Sequence, residues 1–174
     1  MKNLEIKAAA EDLPGLRRAL RQLGARRVPK PLDQVDWYFA TPRGRLKLRH
    51  RKGARSAELI FYVRADSAKA RLSEYQKLPV ADVPGVLRLL RAMFTPGVCV
   101  RKRRDLWLFG ETRVHLDRVA GLGTFVEIEV PYARSQAEAR RVMTRLRERL
   151  GIGGRSVLAC SYADLLAARA PRPE

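Results

Sequence analysis

Asn3-Leu4-Glu5-Ile6-Lys7 alternates polar and apolar residues, a period of two that predicts a strand with Leu4 and Ile6 on one face and Asn3, Glu5 and Lys7 on the other. The period then lengthens. Asp12 is placed to cap a helix, Pro14 falls in its first turn, and Leu13, Leu16, Leu20 and Leu23 recur at helical spacing up to Gly24. Residues 25–35, with Pro29 and Pro31, read as a connection into a short strand at Val35-Asp36-Trp37-Tyr38-Phe39. Thr41-Pro42-Arg43-Gly44 turns the chain, and the alternation in 45–51 and 58–64 predicts a hairpin.

A further strand is expected near 71–77, where the apolar content is low. Asp82 and Pro84 begin a second helix that carries Val83, Val86, Leu87 and Leu90 on one face and stops at Pro96-Gly97. Four short β segments follow, Val98 to Arg104, Leu106 to Phe109, Arg113 to Asp117 and Phe125 to Val130, with Gly110 and Gly121-Leu122-Gly123 as turns. Ser135 and Glu138 make a capping box for a third helix with Val142, Met143, Leu146 and Leu150, and a last helix is expected at about 161–169 before a frayed tail at 171–174. The sequence shows no internal repeat and no long linker. Residues 1–170 therefore read as one α+β domain of about eight strands and three or four helices.

With 46% hydrophobic residues the chain is expected to fold, and 174 residues suffice for one sizeable core. Charge changes the picture more. Thirty-six Lys and Arg against eighteen Asp and Glu give a formal charge of +18, a field that attracts phosphate-rich partners without choosing among them. Cys99 and Cys160 lack the spacing of a zinc site or a disulfide framework, and the N-terminus has no signal-peptide core, so a reducing, cytoplasmic location is expected. No apolar run reaches membrane-spanning length, and no membrane partner is expected.

The polar faces of the strands carry the candidate chemistry. Glu127-Ile128-Glu129 turns two carboxylates to one side of a strand while Val126, Ile128 and Val130 face a core. Two such charges are tolerated with a cation between them, or on a solvated edge strand, and this motif alone leaves both open. Glu5 with Lys7, and Asp117 at the end of its strand, repeat the theme. Lys47 with Arg49, and Lys102 with Arg104, place cation pairs on single strand faces, and Arg64, Arg71 and Arg113 add more. Burying them without an anion would be costly, so an enclosed basic surface implies a polyanionic ligand or carboxylate pairing. An exposed sheet facing nucleic acid is the competing reading. A closed sheet with a charged lumen accounts for the mixture of Glu, Lys and Arg on these faces. Gly121-Leu122-Gly123 reads as a hairpin turn and not a phosphate loop, His50 and His115 give no basis for a metal site from their spacing, and Trp37, Trp107 and Phe109 read as packing residues.

Taken in order, Asn3-Leu4-Glu5-Ile6-Lys7, Gln34 to Phe39, Leu46-Lys47-Leu48-Arg49, Lys102-Arg103-Arg104, and Thr112 to Asp117 running on to Gly123 to Glu129 resemble the CYTH superfamily. These are the triphosphate tunnel enzymes that include class IV adenylyl cyclases and thiamine triphosphatases, and the resemblance spans most of the chain. It implies an eight-stranded closed antiparallel β-barrel, or tunnel, with flanking α-helices. It also implies Mg²⁺ or Mn²⁺ held by Glu5, Glu127 and Glu129, with Asp117 in addition, and phosphate held by Lys7, Lys47, Arg49, Arg64, Lys102, Arg104 and Arg113. Glu5, Lys7, Glu127 and Glu129 would form the catalytic group. Asn3 stands where the family's ExExK motif has its first Glu. The implied activity is cyclisation of ATP to cyclic AMP and pyrophosphate, or hydrolysis of ATP, inorganic triphosphate or thiamine triphosphate, by a monomer or homodimer. A triphosphate is the favoured partner, and a non-catalytic polyanion- or nucleic-acid-binding module is the alternative.

Overall fold

In the computed structural model, residues 2–64, 69–132 and 135–169 are described, with the backbone alone at positions 64, 71 and 155. The tail at 171–174 lies outside them. In chain order the elements are β1 (Lys2–Ala9), α1 (Leu13–Gln22), β2 (Arg26–Arg27), β3 (Leu32–Phe39), β4 (Arg45–Arg51), β5 (Ala57–Arg64), β6 (Arg71–Val80), α2 (Val83–Met93), β7 (Pro96–Phe109), β8 (Thr112–Val119), β9 (Gly123–Pro131), α3 (Gln136–Arg149) and α4 (Tyr162–Ala167). A single 3₁₀ turn, Gly154–Ser156, precedes α4.

The strands run β7-β3-β4-β5-β6-β1-β9-β8, and β8 pairs with β7 to close an eight-stranded antiparallel barrel, with the two-residue β2 added alongside β7. Closure leaves few edges to protect. It also inverts the usual arrangement, because the apolar faces point outward. Leu4, Ile6, Val114, Leu116, Val126 and Ile128 pack under Leu13 and Leu20 of α1 and Met143 and Leu146 of α3, while Phe39, Leu46, Leu48 and Val80 pack under Leu90 of α2. The hydrophobic effect thus stabilises the tunnel from outside, and the polar faces of the same strands become its lumen. No helix among the described residues is long and apolar enough to cross a membrane, and both cysteines are free thiols.

The segments 98–104 and 106–109 prove to be one fourteen-residue strand, β7, and not two. Asp105 looks like a break in the apolar pattern, but Arg17 of α1 and Arg27 of β2 hold its carboxylate at 2.6 and 2.8 Å, so the charge is buried inside the strand with two partners. The connection 25–35 likewise contains β2 and the first residues of β3. Strand β6, weak in the pattern, continues to Val80 because β5 pairs along its whole length.

The architecture repeats where the sequence shows no repeat: apart from the two-residue β2, the chain runs strand, helix, three strands (β1, α1, β3, β4, β5) and then does so again (β6, α2, β7, β8, β9), with β1 beside β6 and β3 beside β7. Both helices begin alike, as Asp12-Leu13-Pro14-Gly15 and Asp82-Val83-Pro84-Gly85. In each, the Asp side chain accepts from the glycine N–H at 2.8 Å. A Cβ on either glycine would lie 2.0 Å from that Asp Oδ2, so the cap itself requires glycine.

Candidate functional site

Inward-facing residues of all eight barrel strands line one cavity of about 100 Å³ that is open to solvent. Strand β1 supplies Asn3, Glu5 and Lys7; β4 supplies Lys47 and Arg49; β6 supplies Ser73, Tyr75 and Lys77; β7 supplies Lys102 and Arg104; β9 supplies Glu127 and Glu129. Period-two alternation makes this possible, since each pair is separated by one outward-facing residue. Among the described residues, seven cations and three carboxylates line the cavity, which leaves a surplus of positive charge.

The carboxylates cluster on β1 and β9. Glu5 lies directly across from Glu129, and Lys7 across from Glu127. Like charges placed opposite each other on neighbouring strands repel. Nearby cations offset this. Lys7 Nζ is 3.2 Å from Glu127 Oε1, an Arg104 nitrogen 2.8 Å from Glu127 Oε2, and an Arg113 nitrogen 2.7 Å from Glu129 Oε2. Burial raises the pKa of Glu127 and of Glu129. For Glu127, Lys7, the His115 hydrogen bond and Arg104 outweigh it, and for Glu129, His115 and Arg113 do, so both carboxyls stay below their ordinary range. With its amide turned over, as its neighbours require, the Asn3 oxygen accepts from Arg113 at 2.8 Å and its nitrogen donates to the Lys2 carbonyl, which ties the residue to the cationic rim.

Across the lumen a second cluster has the opposite sign. Asp36 is fully buried and accepts two hydrogen bonds from Arg49 at 2.7 Å and one from Lys102 at 2.8 Å, with Lys47 Nζ at 3.3 Å. Burial pushes the Asp36 carboxyl up, but Arg49, Lys102 and Lys47 hold it well below the usual carboxylate range. Burial brings Lys102 down to about 7 against the opposing pull of Asp36, with Arg49, Arg104 and Lys47 adding to the lowering. One carboxylate therefore holds three phosphate-binding candidates in a fixed array.

Beneath the lining, Arg104 also grips Asp117 through two 2.7 Å hydrogen bonds, and the Tyr162 hydroxyl donates to Asp117 at 2.9 Å. Asp117 does not line the cavity, and its oxygens are taken up in fixing Arg104 and Tyr162. Tyr162 reaches in from α4, stacks on Phe125, and lies with its ring 3.8 Å from Lys7 Nζ. A reciprocal capping box between Ser161 and Asp164 fixes that helix at its start.

Of the residues the sequence singles out, the structure brings together Glu5, Lys7, Lys47, Arg49, Lys102, Arg104, Arg113, Glu127 and Glu129, and sets Asp117 behind them. The Arg64 side chain lies outside the described part; its backbone pairs with Ser73. Trp107 and Phe109 pack in or against the core beneath α1 and α3, and Trp37 against the one beneath α2. Sequence reasoning assigned no role to Asp36, Tyr38, Tyr62, Tyr75 or Tyr162, although Asp36 and Tyr38 share an inward face with Gln34 by the same alternation that revealed Lys47 and Arg49. It also set aside His115. That residue lies opposite Glu127 on β8 and β9, and one of its ring nitrogens comes within 4.8 Å of carboxylate oxygens of both Glu127 and Glu129. His50 is elsewhere, its Nε2 2.9 Å from the Ala54 carbonyl.

Fold and lumen together define a class of protein, the closed antiparallel β-tunnel with both signs of charge turned inward. The chain belongs to the CYTH family, whose CYTH domain matches residues 1–162. Comparison with curated proteins gives no match. Among solved structures, PH1012 from Pyrococcus horikoshii OT3 is similar, with a TM-score of 0.84 and 23% identity over 94% of this chain and 98% of that one. A Vibrio parahaemolyticus protein described as a candidate adenylate cyclase superposes with a TM-score of 0.76 at 18% identity, covering 95% and 97% of the two chains. Hippeastrum HpAC1, described as having a dominant triphosphatase activity, gives 0.66 at 15% identity over 98% of each. At these identities the likeness is one of fold.

Proposed function

We propose that this chain is a metal-dependent enzyme that acts on a triphosphate held in the tunnel. The observation that carries this reading is the separation of charge within one enclosed lumen. Glu5, Glu127 and Glu129 crowd one wall, where two of them face each other across strands, while Lys47, Arg49 and Lys102 are arrayed around Asp36 on another. Three clustered carboxylates fit a divalent cation by the chemistry of their oxygens, and the cations fit a chain of phosphates. A bound Mg²⁺ or Mn²⁺ would withdraw charge from phosphoryl oxygens and orient the reacting group.

The side chains do the rest. Arg49 and Arg104 offer planar donor forks, and each already has one edge fixed by a carboxylate, so both enter the reaction preorganised. Lys7, Lys47 and Lys102 add point charges that meet negative charge as it develops. Little covalent chemistry is asked of the protein. Water attacking the terminal phosphorus gives hydrolysis, and attack by the substrate's own ribose hydroxyl on the α-phosphorus gives cyclic AMP and pyrophosphate.

The test incubates purified protein with ATP, inorganic triphosphate or thiamine triphosphate and Mg²⁺ or Mn²⁺, and identifies products by ion-exchange chromatography. Turnover of at least one substrate is expected, with a drop of at least about tenfold in E127Q and E129Q. No turnover by folded protein, together with E127Q and E129Q binding tripolyphosphate as tightly as before without metal, would instead favour a polyanion-binding module.

A further inference from the structure

Resting on the reading of Glu127 and Glu129 as cation ligands, we infer that His115 supplies a nitrogen ligand to the same ion, so that the tunnel selects Mn²⁺ and similar first-row cations over Mg²⁺ and Ca²⁺. Three strand positions create the juxtaposition. His115 on β8 is the direct cross-strand partner of Glu127 on β9, and Glu129 is the partner of Arg113 two residues before His115. All of these side chains turn away from the outer core, in which Val114, Leu116, Val126 and Ile128 between them are buried, and His115 lies just beneath the cavity lining.

The distances suit a shared ion. His115 Nδ1 lies 3.3 Å from Glu127 Oε2 and 3.6 Å from Glu129 Oε1, and the ring is buried. Ligands bound at roughly 2.0–2.2 Å from one cation stand about 3–4 Å apart, so these three atoms are spaced to share one once Arg104, 2.8 Å from the same Glu127 oxygen, gives way. Imidazole suits the later first-row ions best and Mn²⁺ least among them, whereas Mg²⁺ and Ca²⁺ take oxygen throughout, so a nitrogen ligand favours the transition ions with Mn²⁺ at the weak end of the series.

The experiment loads the full chain with Mn²⁺ in the absence of substrate and records pulsed electron paramagnetic resonance on natural-abundance protein and on protein labelled with ¹⁵N-histidine. A ¹⁴N coupling that converts to ¹⁵N on labelling is expected. In parallel, calorimetric titration of wild type and H115Q should show Mn²⁺ affinity falling by about tenfold or more in the variant while Mg²⁺ affinity changes little. Bound Mn²⁺ with no histidine coupling would overturn the inference and reduce His115 to a hydrogen-bonding neighbour of the carboxylates, as would an equal loss for both ions. Wild type that binds neither ion would instead bring down the metal reading itself. The labelling result stands without the variant, so a misfolded H115Q leaves the question decidable.

Discussion

Replacing Asp36 with Asn removes the one anion that Arg49, Lys102 and Lys47 share. Its side chain is wholly buried, and those of its three partners are 12%, 2% and 11% exposed, so water can compensate little. At an effective dielectric constant near 20, a unit charge pair about 4 Å apart is worth roughly 4 kcal/mol, and each buried ion forfeits several kcal/mol of hydration. Lys102 can shed its proton in the variant, which limits the damage, but the Arg49 guanidinium stays charged. The net loss expected from breaking such a buried group is about 3–5 kcal/mol. For a chain of this length each kcal/mol shifts the melting temperature by about 2–4 °C, so D36N should melt roughly 6–20 °C lower. The assay is scanning calorimetry at pH 6 in low salt, with and without tripolyphosphate. Added polyanion should restore more stability to D36N than it adds to wild type, since it replaces the missing countercharge. A melting temperature within about 2 °C of wild type, or equal responses to polyanion, would refute Asp36 as the residue that holds the array together.

Two further outcomes follow from particular contacts. Lys102 is held near 7 by burial against the pull of Asp36, and a bound polyanion favours its charged form, so binding should take up a proton. Tripolyphosphate affinity should therefore fall by up to about tenfold per pH unit above 7, with calorimetric heats that vary with buffer ionisation enthalpy. Flat affinity from pH 6 to 9 would contradict this. In the helix caps, G15A should cost about 1 kcal/mol by displacing the Asp12 carboxylate, and D12A about the same. The two should be strongly non-additive in a double-mutant cycle followed by urea unfolding, and additive losses would mean the glycine is required for another reason.

Much of this was legible in the chain because alternation is a local property. Glu127 and Glu129 were placed on one face by spacing alone, as were Lys47 with Arg49 and Lys102 with Arg104. Which side of the sheet was inside was also readable, since Val126, Ile128 and Val130 had to be buried and their polar neighbours had to face the other way. The helix starts were equally local, because Asp12 and Asp82 cap backbone donors only three residues on. Asp105 misled for the opposite reason. Its partners, Arg17 and Arg27, lie 88 and 78 residues away, and no pattern within β7 announces them.

The amino-acid sequence by itself determined most of the strands, their two faces and the charges each face carries, because side-chain direction along an extended backbone follows from stereochemistry two residues at a time. Only the tertiary structure decided who meets whom. Register between β8 and β9 put His115 against Glu127, register between β1 and β9 put Glu5 against Glu129, and the pairing of β3 with both β4 and β7 gave Asp36 its three cations. Electrostatic energy depends on separation through space, and a shift of one strand by two residues would keep every face intact while moving each charge to a new partner.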